Sequence, residues 1–82
     1  MKPVVIYPAA RKTLRRMPAN TANRILEKIA AYAANPQSQA NNVTALHGRP
    51  GIRLRVGDWR VIMEDGEVLE VLQVGPRGGI YE

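Results

Sequence analysis

The 82-residue sequence contains no cysteine, no phenylalanine and a single histidine, His47. Without cysteine there are no disulfides and no thiolate chemistry, and one histidine supplies neither a zinc or iron ligand set nor an acid–base histidine pair. No run of about 18 apolar residues occurs, so no membrane-spanning helix is expected. Met1-Lys2-Pro3-Val4-Val5-Ile6 is too short an apolar segment for a signal peptide. A single cytoplasmic domain over residues 1–82, without metal or cofactor, is the expectation, since this length provides for one modest core and not two.

Carboxylates are also scarce, with seven Asp and Glu against twelve Lys and Arg, and a net charge of +5. Their distribution is more informative than the total. Through Arg60 the chain carries eleven basic residues against only Glu27 and Asp58, a balance of +9; from Val61 onward Arg77 stands alone against five acids, a balance of −4. A polyanion is the natural partner for the basic portion, because released counterions favour phosphate binding. An acidic protein partner would use the same field, and a solubilising surface is the bland alternative.

Hydrophobic periodicity divides the chain into elements. Val4-Val5-Ile6 reads as a short strand, and Pro8 suits the first turn of a helix that runs from about Ala9 to Arg16 and stops at Pro18. A second helix is expected from about Ala19 to Ala34, with Ala22, Ile25, Leu26, Ile29, Ala30 and Ala33 at three-and-four spacing, ended by Asn35-Pro36. With almost no linker between them, the two helices form a hairpin. Gln37 to Asn42 reads as a surface loop and Val43 to Leu46 as its return to the core.

Strands are expected over Ile52–Val56, Trp59–Glu64 and Glu67–Val74, joined by two-residue turns at Gly57-Asp58 and Asp65-Gly66, with a possible short last strand at Ile80-Tyr81. The fold class is therefore α+β: an N-terminal strand, a two-helix hairpin and an antiparallel β-meander, in the order β-α-α-β-β-β. Counting outward from the turns sets Arg55 opposite Arg60 and Arg53 opposite Ile62; across the second turn, Met63 meets Val68, Ile62 meets Leu69, Val61 meets Glu70 and Arg60 meets Val71. One face then holds Ile52, Leu54, Val56, Trp59, Val61, Met63, Val68, Leu72 and Val74 as core, with Glu70 as its one misfit. The other holds Arg53, Arg55, Arg60 and Arg77 beside Ile62, Leu69, Val71 and Gln73.

Arg55 opposite Arg60 is a like-charge cross-strand pair, which costs stability unless an anion lies between the two. An arginine on a strand also serves to lay its aliphatic stem over apolar neighbours, but that reading loses force for four arginines on one face. Guanidinium forks match phosphate oxygens bidentately. Arg49 and Gln73 are candidate RNA contacts at the margins of this face. The apolar Ile62, Leu69 and Val71 suit a groove for a protein partner, as do Arg11 and Arg15 on the basic flank of the first helix. The acidic stretch from Glu64 to Glu70 reads as a solvated hairpin tip.

Leu46-His47-Gly48, the stretch Arg53-Leu54-Arg55-Val56-Gly57-Asp58-Trp59-Arg60-Val61-Ile62, and Val74-Gly75-Pro76-Arg77 with Ile80-Tyr81 resemble the RelE/ParE superfamily of bacterial type II toxins. The likeness covers essentially the whole chain and implies a compact sheet packed on two helices. Closer likeness to the RelE-like mRNA interferases implies a toxin that cleaves mRNA in the ribosomal A site and is neutralised by a cognate antitoxin, in a higher-order hetero-oligomer. On this resemblance Arg53 and Arg55 flank the scissile phosphate, Arg60 stabilises the transition state, Arg77 serves the departing 5′-oxygen, and Tyr81 stacks on or orients the substrate. The first pair is arginine where the best-known member has lysine, and arginine stays protonated, which weighs against a general-base role.

Cleavage by the RNA's own 2′-hydroxyl needs alignment and charge neutralisation but no metal. With no acid–base histidine pair, weak intrinsic activity and dependence on the ribosome are expected, and His47, in a loop before a strand, is read as structural. A rival of another class is a ParE-like DNA gyrase inhibitor with no nuclease chemistry; a third is an RNA-binding module without catalysis.

Overall fold

A computed structural model of the protein describes residues 1–78. Val4–Ile6 forms β1, and α1 follows as Pro8–Arg16. Pro8 occupies the first turn, where the missing N–H forfeits no helical bond and the fixed φ suits the helix. Met17 leaves the helix in an extended conformation (φ −94°, ψ 164°) because the ring of Pro18 disfavours a helical residue before it. The carbonyl of Pro18 then accepts the N–H groups of Thr21 and Ala22, both at 3.0 Å, opening α2 over Ala19–Ala34. Asn35 closes α2 in the same way, extended before Pro36, with its N–H on the Ala31 carbonyl at 2.9 Å.

The expected loop after α2 is instead a kinked 3-10 segment, Pro36–Asn42. Local polar bonds organise it: the Asn35 side-chain oxygen accepts the Gln37 N–H at 3.2 Å, and Ser38 Oγ donates to the Asn35 carbonyl at 2.7 Å. Val43–Ala45 is more than a return to the core. It forms β2 and pairs antiparallel with β3, Ile52–Val56.

With β4 at Trp59–Asp65 and β5 at Leu69–Pro76, the sheet has the order β1-β5-β4-β3-β2. β1 is parallel to β5 and the other pairs are antiparallel. The β3–β4 hairpin has the expected register, Arg55 opposite Arg60 and Val56 opposite Trp59, closed by Gly57 at φ 58° and Asp58.

The register between β4 and β5 differs from expectation. Asp65 pairs with Leu69, so the turn holds residues 66–68 rather than two, and Leu72 is an extra residue between the pairs Met63–Val71 and Ile62–Gln73. This bulge completes the shift. Arg60 consequently lies opposite Gly75 and Val61 opposite Val74. Leu69 and Val71, expected beside the arginines, are fully buried in the core with Leu54, Val56, Val61, Met63 and Val74. Glu70 leaves the core face, which removes the one misfit, while Val68 and Leu72 are only half-buried. Leu69 and Val71 thus take the core places of Val68 and Leu72, and the gain lies in removing the Glu70 carboxylate from an apolar face, where a buried charge is costly.

The helices cover the core face through Ala10, Leu14, Met17, Ile25, Ile29, Tyr32 and Ala33. Leu26, expected in the stripe, is 37 % exposed. The acidic stretch also has structural duties beyond solvation: Asp65 accepts from Tyr32 Oη at 2.8 Å and from Lys2, Lys2 also reaches the Gly66 carbonyl at 2.7 Å, and Glu70 accepts from Tyr7. These acids are thereby spent on securing β1 and α2 to β4 and β5. Among the described residues no helix is long and apolar enough to cross a membrane.

Candidate functional site

The open face of the sheet gathers basic side chains from three separate stretches. Arg53 and Arg55 alternate with buried Leu54 and Val56 on β3, and Arg60 begins β4 directly across from Arg55. Arg77 follows β5, and its N–H bonds to the Asp58 carbonyl at 2.8 Å, which holds it against the β3–β4 turn. The two-residue turn thus sets the spacing of three arginines at once.

Two recesses adjoin on this face. The larger, about 450 Å³, is lined by Arg55, Arg60 and Arg77 together with Arg24, Lys28 and Asn42 and the backbone around Gly57. The smaller, about 190 Å³, is lined by Arg53, Arg55 and Arg60 with Asn41, Asn42 and Thr44. Arg60 is half-buried and belongs to both. Its pKa is lowered from the ordinary arginine value, first by burial and then by the charges of Arg53, Arg77 and Arg55. Arg53, Arg55 and Arg77, singled out with Arg60 from the sequence, therefore converge on it. No carboxylate is among the described lining residues of either recess.

Other expected contacts are not brought to this site. Arg49 and His47 are exposed in the loop before β3 and line neither recess; Gln73 is exposed opposite Ile62 and also lines neither. Ile62 points to the arginine side but is fully buried outside the helix-side core, as is most of Leu46. Ile62, Leu69 and Val71 therefore offer no surface to a protein partner in this fold, a correction that follows from the bulged register and from burial. Arg11 and Arg15 are exposed on α1, beside a depression shared with Pro8, Lys12 and Arg16. Tyr81 and the possible strand at Ile80-Tyr81 lie outside the described residues.

Arg24, Lys28, Asn41, Asn42 and Thr44 were not anticipated from sequence. Arg24 and Lys28 do carry a signal, being like charges one helical turn apart, an arrangement that disfavours a helix unless something external uses it. Their place beside β3, however, depends on how α2 crosses the sheet. The chemistry available is that of fixed cations and neutral hydrogen-bond donors around a phosphate, which suits stabilisation of developing negative charge. No group of three His, Cys, Asp or Glu among the described residues is placed to hold a metal ion.

The order of one strand, two helices and then antiparallel strands is that of the RelE-like fold, and the chain falls in the RelE/ParE toxin superfamily. Residues 4–81 match the family described as ParE toxin of type II toxin-antitoxin system, parDE. The chain belongs to that family and is a type II toxin. Among solved structures it is similar to the archaeal RelE-RelB complex from Pyrococcus horikoshii OT3, with a TM-score of 0.80 and 28 % identity over 96 % of this chain and 98 % of that one. Two further complexes share the fold: the intact E. coli RelBE toxin-antitoxin complex (TM-score 0.72, 22 % identity, 93 % of this chain and 96 % of that one) and RelB-RelE from Methanococcus jannaschii (TM-score 0.73, 21 % identity, 95 % of each). No curated protein sequence matches the chain.

Proposed function

We propose that this toxin is a ribosome-dependent endoribonuclease that cleaves mRNA without a metal and thereby inhibits translation. The observation that carries this reading is the convergence of Arg53, Arg55 and Arg77 on half-buried Arg60 in a trough with no described carboxylate. Such a concentration of one charge attracts an anion. A phosphodiester supplies one.

In the proposed reaction the 2′-hydroxyl attacks the adjacent phosphorus as its proton passes to solvent. The bond from phosphorus to the 5′-oxygen breaks, and that oxygen takes a proton. The products are a 2′,3′-cyclic phosphate and a 5′-hydroxyl. Arg53 and Arg55 clamp the phosphate, Arg60 faces the charge that grows on the phosphorane, and Arg77 stabilises the departing oxygen. Tyr81 retains the substrate-stacking role implied by the family likeness. Alignment of the attacking oxygen is worth up to roughly 7–11 kcal/mol, and posing the mRNA on the ribosome supplies it for a protein without an acid–base histidine pair.

The partner we assign is a cognate antitoxin, since the similar solved structures are toxin-antitoxin complexes; a higher-order hetero-oligomer is the assembly implied by the family likeness. Arg11 and Arg15 remain its candidate contacts, being exposed. Mapping of mRNA 5′ ends on translating ribosomes tests the activity, which predicts codon-phased cuts with wild type and none with Arg60→Ala. A second reading, inhibition of DNA gyrase without nuclease chemistry, is favoured by the ParE description of the matching family. Supercoiling inhibition and induced DNA breaks with intact mRNA would reverse the order.

A further inference from the structure

α2 contributes two basic side chains to the arginine face that the proposed cleavage does not use. Arg24 and Lys28 lie one helical turn apart, both exposed, and line the larger recess with Asn42, Arg55, Arg60 and Arg77. The guanidinium of Arg24 overlies the β3–β4 turn so closely that a Cβ on Gly57 would meet its Nη1 at 3.7 Å. The smaller recess, with Arg53, Asn41 and Thr44, shares Asn42, Arg55 and Arg60 with the larger one. The two recesses thus adjoin along Asn42, Arg55 and Arg60 and together form a basic trough from the β2–β3 side of the sheet, past Arg60, to α2. A single phosphate held among Arg53, Arg55, Arg60 and Arg77 would leave the α2 end of the trough cationic and unfilled.

We infer that Arg24 and Lys28 form a second phosphate subsite, which holds a backbone phosphate neighbouring the scissile one as a single-stranded RNA passes from the sheet to α2. This subsite rests on the nuclease reading for the identity of its strand, but its chemistry is phosphate binding alone. Arg24 supplies a forked contact and Lys28 a point charge, while Asn42, at the junction of the recesses, donates to the sugar-phosphate between them. The substrate class is an oligonucleotide with at least two consecutive phosphodiesters, since a mononucleotide offers only one of the two phosphates.

The test uses full-length toxin and a single-stranded RNA of eight residues, 2′-O-methylated so that it cannot be cleaved, with one neutral methylphosphonate moved stepwise along it. Wild type, Arg24→Ala/Lys28→Ala and Arg60→Ala are compared by binding isotherms at several salt concentrations, with melting curves to confirm folding. The double variant is expected to bind roughly tenfold more weakly, with a slope of log affinity against log salt smaller by about 0.7 per phosphate lost, the value for single strands. The neutral linkage should erase the difference between wild type and the double variant at one position, adjacent to the position that erases the effect of Arg60→Ala. An equal loss at every position would reveal only a general field and overturn the subsite. So would no difference between the proteins, absence of binding by both included. Failure of the nuclease reading has a separate signature, the absence of wild-type cleavage on ribosomes whatever the binding pattern.

Discussion

Arg55 and Arg60 stand directly opposite each other across the β3–β4 hairpin, with Arg53 and Arg77 adding their charge to the same point. Like charges directly across a ladder favour an anion between them, so function and stability should part company at Arg60. Replacing it with methionine keeps an unbranched stem for packing and removes the repulsion. Arg60→Met is expected to melt at a higher temperature than wild type in the absence of RNA and to lose cleavage by at least about 100-fold, the scale for deleting one charge-stabilising group. A lower melting temperature would show that the stem or an unseen partner, and not repulsion, dominates at this position.

The bulge at Leu72 places Leu69 and Val71 under the helices, where neither is exposed at all. Leu69→Ala should therefore behave as a core deletion and cost about 2–5 kcal/mol of unfolding free energy in urea. Its effect on antitoxin binding should vanish once the folded fraction is taken into account. An unstable variant is the expected outcome; a stable one with weakened antitoxin binding would restore Leu69 to the surface and refute the bulged register.

Gly51 has φ 122° and approaches β4 so closely that a Cβ would lie 2.8 Å from the Met63 carbonyl oxygen and 3.1 Å from Leu46 Cδ1. The Leu46 N–H also bonds to the Gly51 carbonyl at 3.1 Å, closing the loop that carries His47 and Arg49. Gly51→Ala meets both backbone strain and a collision with an immovable carbonyl. A loss of roughly 3 kcal/mol is expected in chemical denaturation, the upper end of the range for one strained residue.

Tyr32 donates to Asp65 at 2.8 Å, and burial first, then this bond, pushes the phenol up to about 12 from 10.0. A raised folded-state pKa contributes stability that is complete below the unfolded value and lost as pH rises through the folded one. The difference in unfolding free energy between wild type and Tyr32→Phe should thus shrink between pH 10 and about 12. Asp65 shows the opposite sign: bonds from Lys2 and then Tyr32 hold its carboxyl below the ordinary 3.8, so its contribution is present above that value and fades as pH falls through the lower folded one. Urea midpoints measured across both windows check the two halves of this pair.

These residues show what could be read from the chain and what could not. Gly57-Asp58 admits a two-residue turn, so counting from it gave the Arg55–Arg60 pairing correctly. Asp65-Gly66 carries the same short-range signal, yet the turn spans residues 66–68, a register that exchanges Val68 and Leu72 for Leu69 and Val71 in the core and frees it of the Glu70 carboxylate. No dipeptide announces a bulge at Leu72. The helix boundaries were legible at Pro8, Pro18 and Pro36, where a ring acts within one residue of its own position. Arg24 and Lys28 were not legible as part of the site, since their role depends on the crossing of α2 over the hairpin, a tertiary property with no period in the sequence.

The last expectation separates charge from acid–base chemistry. His47 is the one histidine of the chain, and it is exposed in a loop that lines neither recess. If cleavage proceeds as proposed, His47→Ala should cut ribosome-bound mRNA within about twofold of wild type, whereas Arg77→Ala should lose about 100-fold through its effect on the leaving oxygen. An arginine cannot give up its proton near neutrality, so none of the four arginines serves as the base, and single-turnover rates should show no inflection between pH 6 and about 8. An inflection that disappears in His47→Ala would make the histidine the base and require the loop before β3 to move toward Arg60. An inflection that persists in both proteins would assign the base to the ribosome or the RNA, and the arginines would keep the role of charge stabilisation.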